Sequence, residues 1–97
     1  MNKVILNGES ILSISDLHKE LKEQLGLPDY YGENLDALWD CLTGWVNMPL
    51  VIEWKHVEKS RVYLGDKASA YLQLFREAEE ELDGFQFKTD ESSQQNL

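Results

Sequence analysis

The chain contains 97 residues, and its 18 acidic side chains outnumber 9 basic ones to give a formal net charge of −9. This length predicts a single domain with a hydrophobic core sufficient for independent folding. The negative charge disfavours nucleic acids and anionic membranes as partners, because both are bound mainly through Lys and Arg. The single cysteine, Cys41, excludes an intrachain disulfide and a thiolate metal cluster.

The two ends of the chain carry their own predictions. The N-terminus holds only a short apolar run before polar residues begin, which matches neither a signal peptide nor a membrane span. We therefore expect a cytoplasmic protein. Residues 90–97 are polar and lack periodicity, so we predict one domain over residues 1–89 followed by a disordered tail.

Turn and breaker residues divide the chain into strands and helices. In chain order we predict a strand at Lys3–Asn7, a helix carrying Leu17, Leu21 and Leu25, a helix at about Glu33–Thr43, a strand at Leu50–Ile52, a short helix within His56–Asp66, a long helix with apolar positions from Tyr71 to Leu82, and a strand at Phe85–Thr89. Ser13 or Ser15 is expected to cap the first helix, and Gly26 to end it.

The connections between strands predict the fold class. Each pair of consecutive strands is separated by helices, and such crossovers are typical of parallel pairing. The continuous apolar run Leu50–Ile52 is typical of a strand that is buried on both faces. The predicted fold is therefore α/β, with a small three-stranded parallel sheet packed against three to four helices.

Residues 30–45 form the most informative tract of the sequence. They contain four aromatic residues, three carboxylates and no positive charge. The longer segment 23–54 contains six acidic residues and no Lys or Arg. Aromatic side chains supply contact area at protein interfaces, and acidic side chains supply attraction to a basic partner. The tract thus predicts a surface that docks onto a strongly basic protein.

A helical wheel divides the second helix into two sides. Its apolar side holds Leu35, Leu38, Trp39 and Leu42, and its acidic side holds Glu33, Asp36, Asp40 and Thr43. The simplest interpretation of the acidic side is a solvated polar surface. However, Asp36 and Asp40 are a like-charge pair one turn apart, which destabilises an isolated helix. Helix stability alone would not select that pair.

Two aspartates one turn apart also suggest other chemistry. Acid–base catalysis of the glycosidase type needs carboxylates on opposite sides of the scissile bond, which one convex helix does not provide. Asp36 and Asp40 could bind Mg²⁺, but no Gly-rich phosphate loop, Lys or Arg lies near them in the sequence. A small metal-dependent enzyme therefore remains a third hypothesis.

Several single residues have an ordinary structural interpretation. We expect His18 to be exposed on the first helix, and neither His18 nor His56 lies near a nucleophile in the sequence. Acidic neighbours disfavour a thiolate at Cys41. We expect Trp54 in the core, together with at least one member of the aromatic group Tyr30, Tyr31 and Trp45.

The same residues resemble a known family. The runs that carry the resemblance are Ile14-Ser15-Asp16-Leu17-His18, Leu27-Pro28, Tyr30–Val46, Pro49-Leu50-Val51, Glu53-Trp54 and Phe75-Arg76-Glu77-Ala78. Through these runs the chain closely resembles the barstar family, the intracellular inhibitors of barnase-type ribonucleases. The resemblance extends over nearly the whole chain up to about Gly84.

The resemblance implies a binding site without catalytic residues, metal or cofactor. The second helix and the loop before it would enter a ribonuclease active site, with Asp40 in the place of a substrate phosphate. Asp36 and Glu77 would pair with neighbouring basic residues. Packing, hydrogen bonds and close backbone approach would come from Tyr30, Asn34, Trp39, Thr43, Gly44 and Trp45. The free protein is expected to be monomeric.

Three features depart from the family pattern. Asn47 stands where the family has a glutamate on its acidic surface, and Asp83 stands where it has a second cysteine. The last strand is also more polar than the family's closing apolar run.

From the resemblance as a whole we expect an inhibitor of a basic, extracellular-type, barnase-like ribonuclease. The main alternative is a barstar-like immunity or antitoxin module for a different toxin or basic protein.

Overall fold

A computed structural model describes residues 2–90 of the chain and confirms the predicted α/β fold. Three strands and four helices follow the predicted order, with two helices between each pair of consecutive strands. Their bounds are β1 Asn2–Asn7, α1 Ile14–Leu25, α2 Leu35–Gly44, β2 Leu50–Lys55, α3 Val57–Leu64, α4 Asp66–Glu81 and β3 Phe85–Thr89.

The sheet is parallel throughout, with β2 between β1 and β3. In its register Ile52 pairs with Val4 on one side and with Phe87 on the other. Leu50, Val51 and Ile52 are all buried, as the continuous apolar run predicted. The central strand is covered on both faces because helices connect each strand to the next.

Local capping sets the ends of the first two helices. Ser13 caps α1 by accepting a hydrogen bond from the backbone N–H of Asp16 at 3.1 Å, and Gly26 ends it in the left-handed conformation with φ 64°. The predicted start of the second helix was wrong. Glu33 has a positive φ of 53° and lies outside α2, and the helix begins after its N-cap, Asn34. The side chain of Asn34 accepts a hydrogen bond from the backbone N–H of Ala37, which has no acceptor within the helix, and this cap fixes the boundary.

Aromatic rings fill the core beside β2. Trp54 is fully buried, as predicted, and its indole N–H donates to Ser60 Oγ at 2.8 Å. The ring of Phe75 lies 6.1 Å from that of Trp54 and stacks on Phe87 at 5.0 Å. Tyr31 is also part of this core, which satisfies the expectation that one aromatic residue of the tract is buried.

The prediction that His18 is exposed was wrong, because its side chain is completely buried. His18 shares the inner side of α1 with Leu17 and Leu21. Its Nδ1 lies 2.6 Å from the hydroxyl of Tyr31, and its Nε2 lies 2.7 Å from the hydroxyl of Tyr71. A buried imidazole is tolerated where both nitrogens have hydrogen-bond partners.

The C-terminal part of the described chain supplies β3 to the sheet and also caps the start of α3. The carboxylate of Asp90 accepts hydrogen bonds from the backbone N–H groups of His56 at 2.8 Å and Val57 at 3.3 Å. Residues 91–97 of the predicted tail lie outside the described residues, so the division of the chain at residue 89 stays a prediction. Within residues 2–90, no helix is long and apolar enough to cross a membrane.

Candidate functional site

The orientation of α2 decides which side chains can meet a partner. Leu38 and Leu42 are buried against the core. Asp36 and Asp40 are exposed on the other side of the helix, as the wheel predicted. Leu35 departs from that prediction, since it keeps 38% of its surface exposed at the first turn, where the helix emerges from the loop.

Asp36 and Asp40 carry uncompensated charge. Among the residues that the structure describes, neither carboxylate forms an ion pair. By contrast, Glu53 lies 3.4 Å from the amine of Lys3. Asp29 likewise lies 3.9 Å from the amine of Lys22. Two acidic residues of the segment 23–54 are thus paired with lysines, whereas both aspartates of α2 have no ion pair among the described residues.

One hollow lies between α2 and the loop that precedes it. It has a volume of about 220 Å³, and its lining residues are Pro28, Tyr30, Tyr31, Gly32, Ala37, Asp40 and Cys41. Tyr30 is 83% exposed, whereas Tyr31 points into the core with 8% exposed. The structure thus places an exposed phenol and a free carboxylate, Asp40, around the same small depression.

A second hollow of 260 Å³ lies on the other side of α2, against α4. Its lining residues are Leu35, Asp36, Trp39, Ala70, Gln73, Leu74 and Glu77. This hollow unites Asp36, Trp39 and Glu77, which the sequence places on two different helices. Gln73 donates a hydrogen bond to Glu77 Oε2 at 3.2 Å. Sequence reasoning missed Gln73, although its position one turn before Glu77 could have indicated it.

The C-terminal end of α2 carries three more of the predicted residues. Thr43 Oγ1 donates to the carbonyl oxygen of Trp39 at 2.9 Å. Trp45 is 49% exposed, and its indole N–H donates to the carbonyl oxygen of Gly26 at 3.2 Å. At Gly44 an added Cβ would meet nothing within 4 Å, and the backbone conformation is an ordinary helical one. The free fold therefore does not require glycine at this position.

The amino-acid sequence of this chain is similar to those of known proteins. Residues 1–92 match the family model described as "Barstar (barnase inhibitor)". The chain belongs to the barstar family. It is also 51% identical over 82 residues to a protein of Bacillus subtilis (strain 168) named "Putative ribonuclease inhibitor YrdF". That match covers 84% of this chain and 90% of the relative.

In this barstar-family chain, Asn34 has a structural role inside the fold. Its Oδ1 accepts from the backbone N–H of Ala37 at 2.7 Å, and its Nδ2 donates to the carbonyl oxygen of Gly32 at 3.3 Å. The side chain thereby fixes both the start of α2 and the end of the loop that carries Tyr30. A contact between Asn34 and a partner stays a prediction.

Asn47, one of the departures from the barstar-family pattern, is exposed near the C-terminal end of α2. It lines a hollow of 160 Å³ together with Gln24, Leu25, Trp45 and Val46. An amide here, in place of a carboxylate, removes one negative charge from the edge of the candidate site. The two acidic hollows beside α2 do not include this position.

The environment of Cys41 does not favour a reactive thiol. The side chain is partly buried, and burial raises the pKa of its thiol, with the negative charge of Asp40 raising it further. This agrees with the expectation that a thiolate is disfavoured. Within residues 2–90, no group of three or more His, Cys, Asp and Glu side chains comes together in a way that could hold a metal ion.

Proposed function

We propose that this chain is a non-catalytic protein inhibitor of a barnase-like ribonuclease, and that it blocks the active site with α2 and the loop before it. The observation that supports this most is that two carboxylates, Asp36 and Asp40, lie on the exposed side of α2 without an ion pair among the described residues. Each carboxylate lies in its own hollow beside an aromatic residue, Trp39 or Tyr30. Membership of the barstar family supports a ribonuclease as the partner.

The chemistry of the target explains why such a surface would inhibit it. A ribonuclease that holds RNA needs Arg, Lys or His side chains around the phosphate that it cleaves. A carboxylate can accept paired, charge-assisted hydrogen bonds from Arg in the same way as a phosphate. Asp40 takes the place of that phosphate, while Asp36 and Glu77 pair with basic residues around it. The inhibitor lacks a scissile bond at this point, so the complex is a dead end for the enzyme.

Aromatic side chains supply the contact area around these charges. Tyr30 and Trp45 are large, and both are substantially exposed in the free chain. Tyr and Trp are enriched among the residues that dominate binding energy at interfaces. They lie on either side of Asp40 along the chain and exclude water from its ion pairs, which strengthens those pairs.

An RNA-cleavage assay with a panel of purified barnase-like ribonucleases tests this proposal. We expect at least one enzyme to lose activity in proportion to added inhibitor, with an end point at one inhibitor per enzyme. The double variant Asp36→Ala/Asp40→Ala should not inhibit. Inhibition by the double variant equal to that by the unaltered chain would contradict the site. Failure against the whole panel, with binding to another basic toxin, would favour the immunity-module alternative that the exposed Asn47 suggests.

Co-expression tests the proposed cytoplasmic role. Cells that produce a cognate ribonuclease without its secretion signal should survive when they also produce this chain. Survival should be lost with the Asp36→Ala/Asp40→Ala variant at equal protein level. If the chain inhibits the purified enzyme and still gives no protection, the self-protection role is wrong while the inhibitory activity stands.

A further inference from the structure

The loop at residues 27–34 has no regular secondary structure and yet carries Tyr30, the most exposed large side chain of the site. Its backbone is fixed at several points. Leu27 is buried, and the N–H of Tyr31 donates to the carbonyl oxygen of Pro28 at 3.0 Å. Asn34 holds the far end by capping α2. Between these ends, Tyr31 is the residue whose side chain is buried, with 8% of its surface exposed.

Tyr31 reaches the rest of the protein through His18. The Tyr31 hydroxyl lies 2.6 Å from Nδ1 of His18, and the Tyr71 hydroxyl lies 2.7 Å from Nε2 of the same ring. The three rings also pack together, with centroids 5.4 Å and 5.2 Å from that of His18. A single imidazole thus joins the loop to α1 and α4. Each tyrosine hydroxyl can donate or accept, so both ring nitrogens are satisfied in either neutral tautomer.

We propose that His18 is a positioning residue for partner binding. By holding Tyr31 inside the core, it fixes the adjacent Tyr30 outside, above the hollow that contains Asp40. This inference rests on the proposed function, since it concerns the same binding surface. Its physical basis is preorganisation, because a loop that is already ordered loses less conformational freedom when a partner binds.

Two tyrosine variants separate positioning from general stability. Tyr31→Phe removes the hydroxyl that ties the loop to His18 and leaves the aromatic ring in place. Tyr71→Phe removes the hydroxyl that ties α4 to the same ring and leaves the loop contact intact. Each change deletes one buried hydrogen bond to His18, so their melting temperatures should fall by comparable amounts. Only Tyr31→Phe should loosen the loop.

Two variants of His18 itself provide the second comparison. An asparagine amide lies about where Nδ1 of the imidazole lies, whereas a glutamine amide extends one bond further, towards Nε2. His18→Asn should therefore keep the contact with Tyr31, and His18→Gln should keep the contact with Tyr71. We expect the loop to be as ordered in His18→Asn as in the unaltered chain, and to be less ordered in His18→Gln.

Hydrogen exchange in the free protein provides a readout that needs no partner. The amide of residue 31 reports on the loop, and the amide of Ile52 in the central strand reports on global unfolding. Relative to Ile52, Tyr31→Phe and His18→Gln should increase exchange at residue 31 by about tenfold. Tyr71→Phe and His18→Asn should change it less than about twofold. Equal effects of Tyr31→Phe and Tyr71→Phe on this ratio would overturn the proposal.

Binding provides the second readout, with a purified barnase-like ribonuclease that the unaltered chain inhibits as the probe. Tyr31→Phe should raise Kd by about threefold to tenfold, and Tyr71→Phe should leave it within about twofold despite similar destabilisation. Equal increases in Kd would also overturn the proposal. If the unaltered chain inhibits no enzyme, the proposed function fails, and the exchange comparison alone decides whether His18 positions the loop.

Discussion

The side-chain amide of Gln24 pairs with the backbone of Ile5 on the outer edge of β1. Its Oε1 accepts from the N–H of Ile5 at 3.0 Å, and its Nε2 donates to the carbonyl oxygen of Ile5 at 2.9 Å. At the opposite edge of the sheet, Glu79 Oε2 accepts from the N–H of Phe87 at 2.9 Å. Helix side chains thus occupy backbone groups that could otherwise pair with a strand of another molecule.

This pairing leads to a prediction about association. Gln24→Ala should expose the edge of β1 and promote dimers or larger species at high concentration, because free strand edges pair readily. Light scattering over a range of concentrations measures this. Glu23→Ala, at the neighbouring exposed position of α1, is the control and should leave the association state of the unaltered chain unchanged. If Gln24→Ala stays monomeric at all concentrations, the edge of β1 is protected in another way.

Asp40→Ala should weaken ribonuclease binding more than any other single truncation in the site. If Asp40 occupies the phosphate position as proposed, its removal leaves enzyme cations buried without a partner, which typically costs more than about 2 kcal/mol. The free protein should be as stable as before or slightly more so, because repulsion from Asp36 is relieved. Calorimetric titration measures the binding loss. Glu9→Ala removes the same charge next to His56, far along the chain from α2, and serves as the control.

Gly44→Ala should stabilise the free protein while it weakens binding. An alanine fits the helical backbone here and meets no neighbour, so it should add up to about 1 kcal/mol of stability. Its methyl group should obstruct close approach of a partner to the end of α2. Denaturant unfolding and titration measure the two effects. Gly26→Ala is the contrasting variant, because φ at Gly26 is 64° and alanine there should destabilise the fold.

Burial of His18 predicts a stability that depends on pH. Burial lowers the pKa of His18 below its ordinary value of 6.5, although Glu33 opposes the shift. Below pH 6.5 the unfolded chain therefore binds more protons than the folded chain at this position. The free energy of unfolding should fall as pH decreases through that value, by at most about 1.4 kcal/mol per pH unit.

Urea denaturation between about pH 5.5 and pH 8, above the range in which most carboxylates titrate, measures this dependence. His18→Gln should flatten the profile, because it removes the titrating group. His56→Asn removes the other histidine of the chain and is the comparison variant, because asparagine tolerates the positive φ of 56° at that position. Equal slopes for His18→Gln and the unaltered chain would assign the effect to another group.

Charge and packing should act on different rate constants. The net charge of −9 should speed association with a basic ribonuclease, and added salt should slow it, because screening shortens the range of the attraction. Glu81→Gln should reduce the association rate alone, since Glu81 is peripheral and exposed. Trp45→Ala should mainly speed dissociation. Stopped-flow measurements at low and high ionic strength separate the two, and a salt-independent association rate would contradict electrostatic steering.

The residues of α2 show how far local pattern extends. A helix turns about 100° per residue, so the spacing of Leu38 and Leu42 predicted their burial and the exposure of Asp36 and Asp40. Periodicity does not define where a helix begins. The cap at Asn34 excluded Glu33 from the helix and left Leu35 at its exposed first turn.

The sequence by itself determined the order of the elements and the acidic face of α2, because these depend on residues close together in the chain. It also indicated the parallel sheet, because a helical crossover between consecutive strands favours parallel pairing. Only the tertiary structure placed Glu77 beside Asp36 and buried His18. The partners of His18, Tyr31 and Tyr71, are 13 and 53 residues away. Burial of a polar ring is favourable only where such distant groups meet it, and that depends on how the helices pack.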